Sequence, residues 1–336
     1  MKIPSIPTIL GILLLGLIVA ERAEAEPPAS TTMSDSTIEY VVAEKPYAIL
    51  KAADITAVVV DNQAVDDAVL PGHRGGYNGI ASLTHDEHPK NMFVPDYAGL
   101  NLEHVLDGTN QDRDILFGPR KVPMQLRVIN ERTAELYQKS SLHYGLESCT
   151  RYEMLDDGTI EMTFECIPRK DTYRHNYISL FWASYINQPE SLDIHFKGFD
   201  NGGPKQPRWI RGITPGHGKL STHLAPDDNR QFPHDDDFFL TLVFNFSNHR
   251  YTEPWYYGVN EGMAYILMFR PADQVRLTQS PSGGGKGNPA WDFQFLISDY
   301  KINQRYQYKL RAMYVPFESP EHIERITAPH RKALGH

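Results

Sequence analysis

Residues 253–262 read E-P-W-Y-Y-G-V-N-E-G, residues 263–269 continue M-A-Y-I-L-M-F, and residues 280–297 read S-P-S-G-G-G-K-G-N-P-A-W-D-F-Q-F-L-I. This stretch decides the fold. Two strand-like runs, 263–269 and 293–297, each follow a loop rich in Gly, Pro and large aromatics, which is the punctuation of β structure. Trp255, Tyr256, Tyr257 and Trp291 stand where loops enter strands, beside Glu261 and Asp292. Flat aromatic faces next to a few carboxylates suit sugar rings, whose C–H faces stack on π systems while their hydroxyls take hydrogen bonds. The same rings would serve equally well as plugs at the open end of a β-sandwich.

Outward from this stretch, long helical patterns are nearly absent. Short apolar or alternating runs with Gly, Pro, Asn and Asp between them predict strands over 47–50, 55–60, 79–83, 124–129, 133–138, 177–186, 191–196, 240–246 and 306–315. Residues 124–137 read as a hairpin around N-E-R-T. The expected fold is all-β: a large antiparallel β-sandwich over 39–318 as a single domain, then a C-terminal helix and tail over 319–336. Ser319-Pro320-Glu321 supplies that helix's cap, its first-turn proline and its first-turn acid.

The N-terminus predicts export. Lys2 gives a positive start, residues 8–20 (T-I-L-G-I-L-L-L-G-L-I-V-A) form an uncharged run, and Ala23-Glu24-Ala25 fits the small-x-small cleavage rule. The run is shorter than the roughly 20 apolar residues of a membrane span. Residues 1–25 are therefore a signal peptide, and the mature chain is expected in the periplasm or outside the cell, with no stable membrane insertion. Residues 26–38 are polar and rich in Pro, Ser and Thr, the composition of a disordered lead-in. A formal charge of −9 with dispersed acids and bases gives nucleic acid no basic stripe to bind.

The two cysteines flank Asp157-Gly158, a strong two-residue hairpin turn. With that turn as the loop, opposite residues sum to 315, so Cys149 faces Cys166 on a non-hydrogen-bonded pair. There the Cα atoms approach to about 4.5 Å, at the short end of disulfide geometry. In an exported chain this predicts a structural disulfide.

Candidate chemistry rests on histidines and carboxylates. The glycine-rich segment 71–80 suggests a turn where the backbone closely approaches something, and makes Arg74 and Asn78 substrate-binding candidates. It lacks the spacing of a phosphate-binding loop. In Asn101-Leu102-Glu103-His104, strict alternation sends Glu103 and His104 to opposite faces, so one of them lines a cleft, and His104 is the choice. His175 precedes the long apolar strand, and His217 lies in a polar loop. His195 alternates with apolar neighbours and reads as structural. The acids 235–237 do not follow calcium-loop spacing, and no zinc or nucleophile-elbow motif occurs. No metal and no cofactor is expected. What remains is proton transfer by His and carboxylate groups.

The segments G-G-Y-N-G-I-A-S-L (75–83) and F-W-A-S-Y-I-N-Q-P (181–189), with late strands carrying an acid, resemble the galactose-mutarotase-like superfamily, which includes the aldose epimerases. The resemblance spans residues 40–317. It implies a β-supersandwich with a sugar cleft on its concave face, a histidine acid (His104 or His175) and a late glutamate base, Glu261. Trp255, Tyr256, Trp291 and His217 would then contact the sugar. The expected function is an epimerase, lyase or hydrolase using His/Glu acid–base chemistry. The alternatives are a non-catalytic glycan-binding protein or a structural envelope protein.

Overall fold

The computed structural model describes Met1 and residues 30–109, 118–141, 144–238 and 240–336. The expected signal peptide, apart from Met1, lies outside them. The described chain is all-β, with its strands in the order β1 (Val41–Val42), β2 (Tyr47–Ala52), β3 (Ile55–Val60), β4 (Gly79–His85), β5 (Asn101–Leu106), β6 (Met124–Asn130), β7 (Thr133–Gln138), β8 (Leu146–Met154), β9 (Ile160–Pro168) and β10 (Tyr177–Ala183). There follow β11 (Ile194–Asp200), β12 (Arg208–Gly212), β13 (Thr222–Leu224), β14 (Phe246–Tyr251), β15 (Trp255–Asn260), β16 (Met263–Phe269), β17 (Arg276–Ser280), β18 (Ala290–Ser298) and β19 (Tyr306–Pro316). A short helix α1 (Gly118–Lys121) and the C-terminal helix α2 (Pro320–Ala333) complete the elements used below. No described helix is long and apolar enough to cross a membrane.

Strands β2, β3 and β4 form a small sheet, and the other sixteen form one large sheet ordered β1-β6-β7-β8-β9-β19-β16-β15-β11-β14-β13-β17-β18-β10-β5, with β12 paired to β11. Neighbours run antiparallel except β13 and β14. Aromatic contacts show how the large sheet closes over a core. Trp182 of β10 meets Phe164 of β9 edge-on at 4.9 Å, and Phe295 of β18 packs against Phe269 of β16 at 6.2 Å. These strands are far apart in the sheet order, so its two halves face each other as a sandwich. One face of each strand supplies that core. On β18 it is Trp291, Phe293 and Phe295, which leaves Ala290, Asp292 and Gln294 on the opposite face.

Helix α2 begins where the sequence places it. The Ser319 hydroxyl accepts from the His322 amide at 3.1 Å, with Pro320 in the first turn. Its face carrying Ile323 and Leu334 packs on Trp255, Ile266 and Met268.

Three expectations are corrected. Residues 30–38 do not form a disordered lead-in: Thr31 is fully buried, and hydroxyls of Ser30, Thr31 and Ser34 bond to Glu165. The strand expected over 240–246 is a 3₁₀ turn at Thr241–Phe244, with β14 starting only at Phe246. The Cys149–Cys166 disulfide is absent, and both thiols are free and buried. The reason is the turn. Leu155 and Thr159 close a three-residue loop, with Gly158 at φ +83, so opposite residues sum to 314 and Cys149 faces Glu165. A slip of one residue turns every side chain to the other face. Cys166 therefore enters the core, while Cys149 points outward.

Candidate active site

The face of β5, β10, β17 and β18 opposite the core is covered by loops, and between them lies a cavity of about 280 Å³. Its walls combine Glu103, His104, Arg120, Tyr185, His217 and Asp292 with Tyr77, Phe181, Ser280 and small residues including Ala183 and Ala290. A backbone irregularity makes this grouping possible. Phe181 of β10 pairs with His104, but the next residue, Trp182, pairs with Leu102, so Glu103 is the extra residue of a β-bulge. A bulge re-aims side chains that strict alternation would separate. Glu103 and His104 consequently line the same pocket, each with its side chain 8% exposed, and their polar atoms approach to 3.9 Å.

Glu103 is the hub. Tyr185 donates its hydroxyl to Glu103 Oε2 at 2.5 Å, and Arg120 Nη1 donates to Oε1 at 3.3 Å. Arg120 is itself placed by its Nε bond to the Gly76 carbonyl at 3.0 Å and by the Tyr77 ring, 4.1 Å below the guanidinium. Burial, then the charge and hydrogen bond of Glu103, push the Tyr185 phenol well above its ordinary range, which keeps it a donor. Asp292 is a second carboxyl in the same pocket. Burial, reinforced by the charge of Glu103, pushes it well above the usual carboxylate range, against the opposing effect of the Ser184 amide at 3.4 Å. A carboxyl held toward its protonated form is suited to give up a proton to a substrate. At the rim, His217 Nδ1 and Ser280 Oγ lie 2.7 Å apart.

Of the residues nominated by sequence, the pocket brings together only His104 and His217. His175 instead pairs with Asp235 at 3.0 Å at the start of β10. Arg74 is an exposed partner of Asp96 at 2.8 Å. Asn78 is buried and structural: its side chain bonds both the carbonyl and the amide of Leu102, tying the start of β4 to β5. Glu261 occupies the tip of the β15–β16 hairpin, paired with Lys90 at 2.5 Å and His88 at 2.7 Å, and does not line the pocket. Trp255, Tyr256 and Trp291 are wholly buried and offer no stacking surface. Gly258 of W-Y-Y-G shows why: a Cβ there would sit 2.2 Å from the Trp291 ring, so the glycine makes room for a packed indole. The sequence reading set Glu103 aside in favour of His104, noted Asp292 only as a carboxylate beside the aromatics, and did not single out Arg120 or Tyr185. Only Asp292 carried a signal, as a lone acid inside an otherwise apolar run. Among the described residues no three His, Cys, Asp or Glu side chains converge to hold a metal ion.

No family model matches the sequence, and neither does any curated protein. Solved structures similar to this chain include an Escherichia coli K12 protein provisionally described as an aldose 1-epimerase, at 10% identity and a TM-score of 0.46, covering 81% of this chain and 99% of that one. An alpha-N-acetylgalactosaminidase from Bifidobacterium bifidum is similar at 11% identity and a TM-score of 0.48, over 85% of this chain and 39% of that one. A heparan sulfate lyase from Pedobacter heparinus follows at 10% and 0.43, over 83% and 37%.

Proposed function

We propose that this chain is an exported carbohydrate-active protein that transfers protons at a sugar in the Glu103–Asp292 pocket, as an epimerase, lyase or hydrolase. Each of these reactions needs one group to take a proton and another to return one to an oxygen or carbon of the substrate. The observation that carries the reading is the meeting of Glu103, His104 and Asp292 in one pocket, with Asp292 held toward its protonated form. Glu103 is the base, fixed by Tyr185 and Arg120. Asp292 is the acid, and His104 is the second proton carrier. His217 and Tyr77 contact hydroxyls at the rim, and Ala183 and Ala290 leave room for the ring. A binding platform without chemistry would need exposed aromatics, and Trp255, Tyr256 and Trp291 are buried. Export rests on the charged start, the apolar run and the Ala-x-Ala site of residues 1–25.

The test is a panel of mono-, oligo- and polysaccharides incubated with the chain starting at Glu26. Anomer exchange, new reducing ends and new unsaturated products would be followed in parallel. Glu103→Gln and Asp292→Asn should each lower turnover by about 10²–10⁴-fold with the fold intact. Full activity in both variants would remove the proposal.

A further inference from the structure

The corrected cysteine register brings out a second organised region, on the outer face of β7, β8 and β9, which shares no residue with the pocket. Two rows of side chains cross this face. In one, Tyr137, Cys149, Glu165 and Gln307 stand on paired positions, and in the other Arg127, Glu135 and Arg151 do. Glu135 and Glu165 are completely buried, which is unusual for carboxylates on the outside of a sheet. What buries them is the segment 30–34. Ser30 Oγ, Thr31 Oγ1 and Ser34 Oγ donate to Glu165 at 3.1, 2.6 and 2.6 Å. The Thr32 amide donates to Glu135 at 3.1 Å, and its hydroxyl bonds the same carboxylate. Arg127 Nη1 reaches Thr32 Oγ1 at 2.6 Å. The segment holds its own shape through a turn in which the Ser34 and Asp35 amides bond the Thr31 carbonyl at 3.0 and 2.9 Å.

We propose that residues 30–34 are a strap that closes this face as a separate local unit, sealing Cys149 while attached and opening it when displaced or trimmed away, with the sandwich left folded. The body of the protein retains its own partners for both acids. Arg151 Nε donates to Glu135 at 2.8 Å, and Gln307 Nε2 donates to Glu165 at 3.3 Å, so strap removal leaves neither carboxylate without a donor. The strap is attached mainly by hydrogen bonds to charged acceptors. None of its residues joins an apolar cluster of the core, which is the profile of a segment that opens locally rather than with the whole fold. Cys149 Sγ lies 3.4 Å from Glu135, and burial followed by that negative charge pushes the thiol well up, so it is unreactive under the strap.

The two thiols make the test internally controlled, because Cys166 faces the core on the other side of the same sheet. Iodoacetamide alkylation followed by peptide mapping would be compared in three chains: one starting at Glu26, one starting at Thr37, and a full-length Thr31→Val/Thr32→Val/Ser34→Ala variant. Each hydrogen bond lost to a carboxylate shifts the opening equilibrium about tenfold. Cys149 should therefore label at least about tenfold faster in both altered chains, with Cys166 unchanged. Should the shortened chain fail to fold, the triple variant decides alone. Equal Cys149 rates in all chains would show that the strap seals nothing. Parallel rises at Cys149 and Cys166 would show that the segment supports the whole fold rather than one face. Either result overturns the proposal.

Discussion

The β15–β16 hairpin and the β5–β10 pair are built from similar material and do opposite things. Strands β15 and β16 pair without interruption from Trp255↔Met268 to Asn260↔Met263, and nearly every residue of both is buried. Regular alternation there sends Trp255 and Tyr257 to one apolar cluster and Tyr256 to the other, and it pushes the only carboxylate, Glu261, out to the tip. Strands β5 and β10 break register at Phe181/Trp182, and the break turns Glu103 and His104 together into a pocket. Regular pairing builds the core, and the irregular step carries the polar groups. Strain and departures from local rule concentrate where function is placed.

The largest expected effect sets the two glutamates against each other. Glu103→Gln should remove about 10²–10⁴-fold in turnover on any sugar the protein converts, while Glu261→Gln should leave turnover within about twofold, as expected of a surface group remote from the chemistry. If the ranking is reversed, the hairpin tip is the site, and the bulge is only a structural feature.

The next effect separates packing from binding. Trp291→Ala should destabilise the fold by about 3–5 kcal/mol, the usual cost of emptying a large buried aromatic site. The indole is fully buried, and its Nε1 donates to the Leu192 carbonyl at 3.1 Å. Chemical denaturation would show a large loss of midpoint, and sugar affinity should hold wherever the protein stays folded. A selective loss of affinity at unchanged stability would restore Trp291 as a contact residue.

These two outcomes also mark what was legible in the chain. Period-two patterns, turn residues and the Ser319 cap were enough for an all-β architecture, because they report local geometry that the packed structure keeps. The site was harder to read for three separate reasons. A ring at a strand entrance looks the same whether it faces water or core, so the sequence leaves Trp255 and Trp291 equally open to a sugar platform or a packed plug. A bulge leaves no mark in the sequence, so Glu103 was discarded by a rule of alternation that fails at that residue. The length of the loop around Asp157-Gly158 is ambiguous by one residue, and that residue alone turns Cys149 away from Cys166. The pocket itself draws on Tyr77, Arg120, Tyr185 and Asp292, which no short motif links.

A smaller effect comes from the proton on Asp292. Its folded proton affinity is raised by burial and by Glu103, so between the unfolded value near 3.9 and the folded one, the native state holds a proton that the unfolded chain has released. Stability then falls as pH rises through that window, with a limiting slope of about 1.4 kcal/mol per pH unit. Asp292→Asn removes the titration while keeping the shape and an acceptor for the Ser184 amide. The variant should gain stability over the parent as pH increases from about 4, even as it loses activity. Urea midpoints across pH 4–8 check this, and parallel pH curves for the two proteins would show that Asp292 is not the held acid.

The smallest effect concerns Glu261 itself, and its sign carries the information. Glu261 sits at φ +49 and Gly262 at φ +74, so the hairpin tip is a two-residue turn with both positions in the left-handed region. A glutamate there is strained by roughly 1 kcal/mol, a cost that Asn tolerates better. Against this stand the ion pairs to Lys90 and His88, with Lys90 the first cause of the lowered Glu261 carboxyl. Glu261 is about a third exposed and Lys90 more than half, so water screens the pair to a contribution of about 0–1 kcal/mol. The two contributions nearly cancel. Glu261→Asn should therefore change stability by less than about 1 kcal/mol, with the balance tipping toward gain at high salt, where the ion pairs fade and the turn preference does not. A loss well beyond that, or one that grows with salt, would mean that the strain at this tip is held in place for a purpose the regular hairpin does not explain.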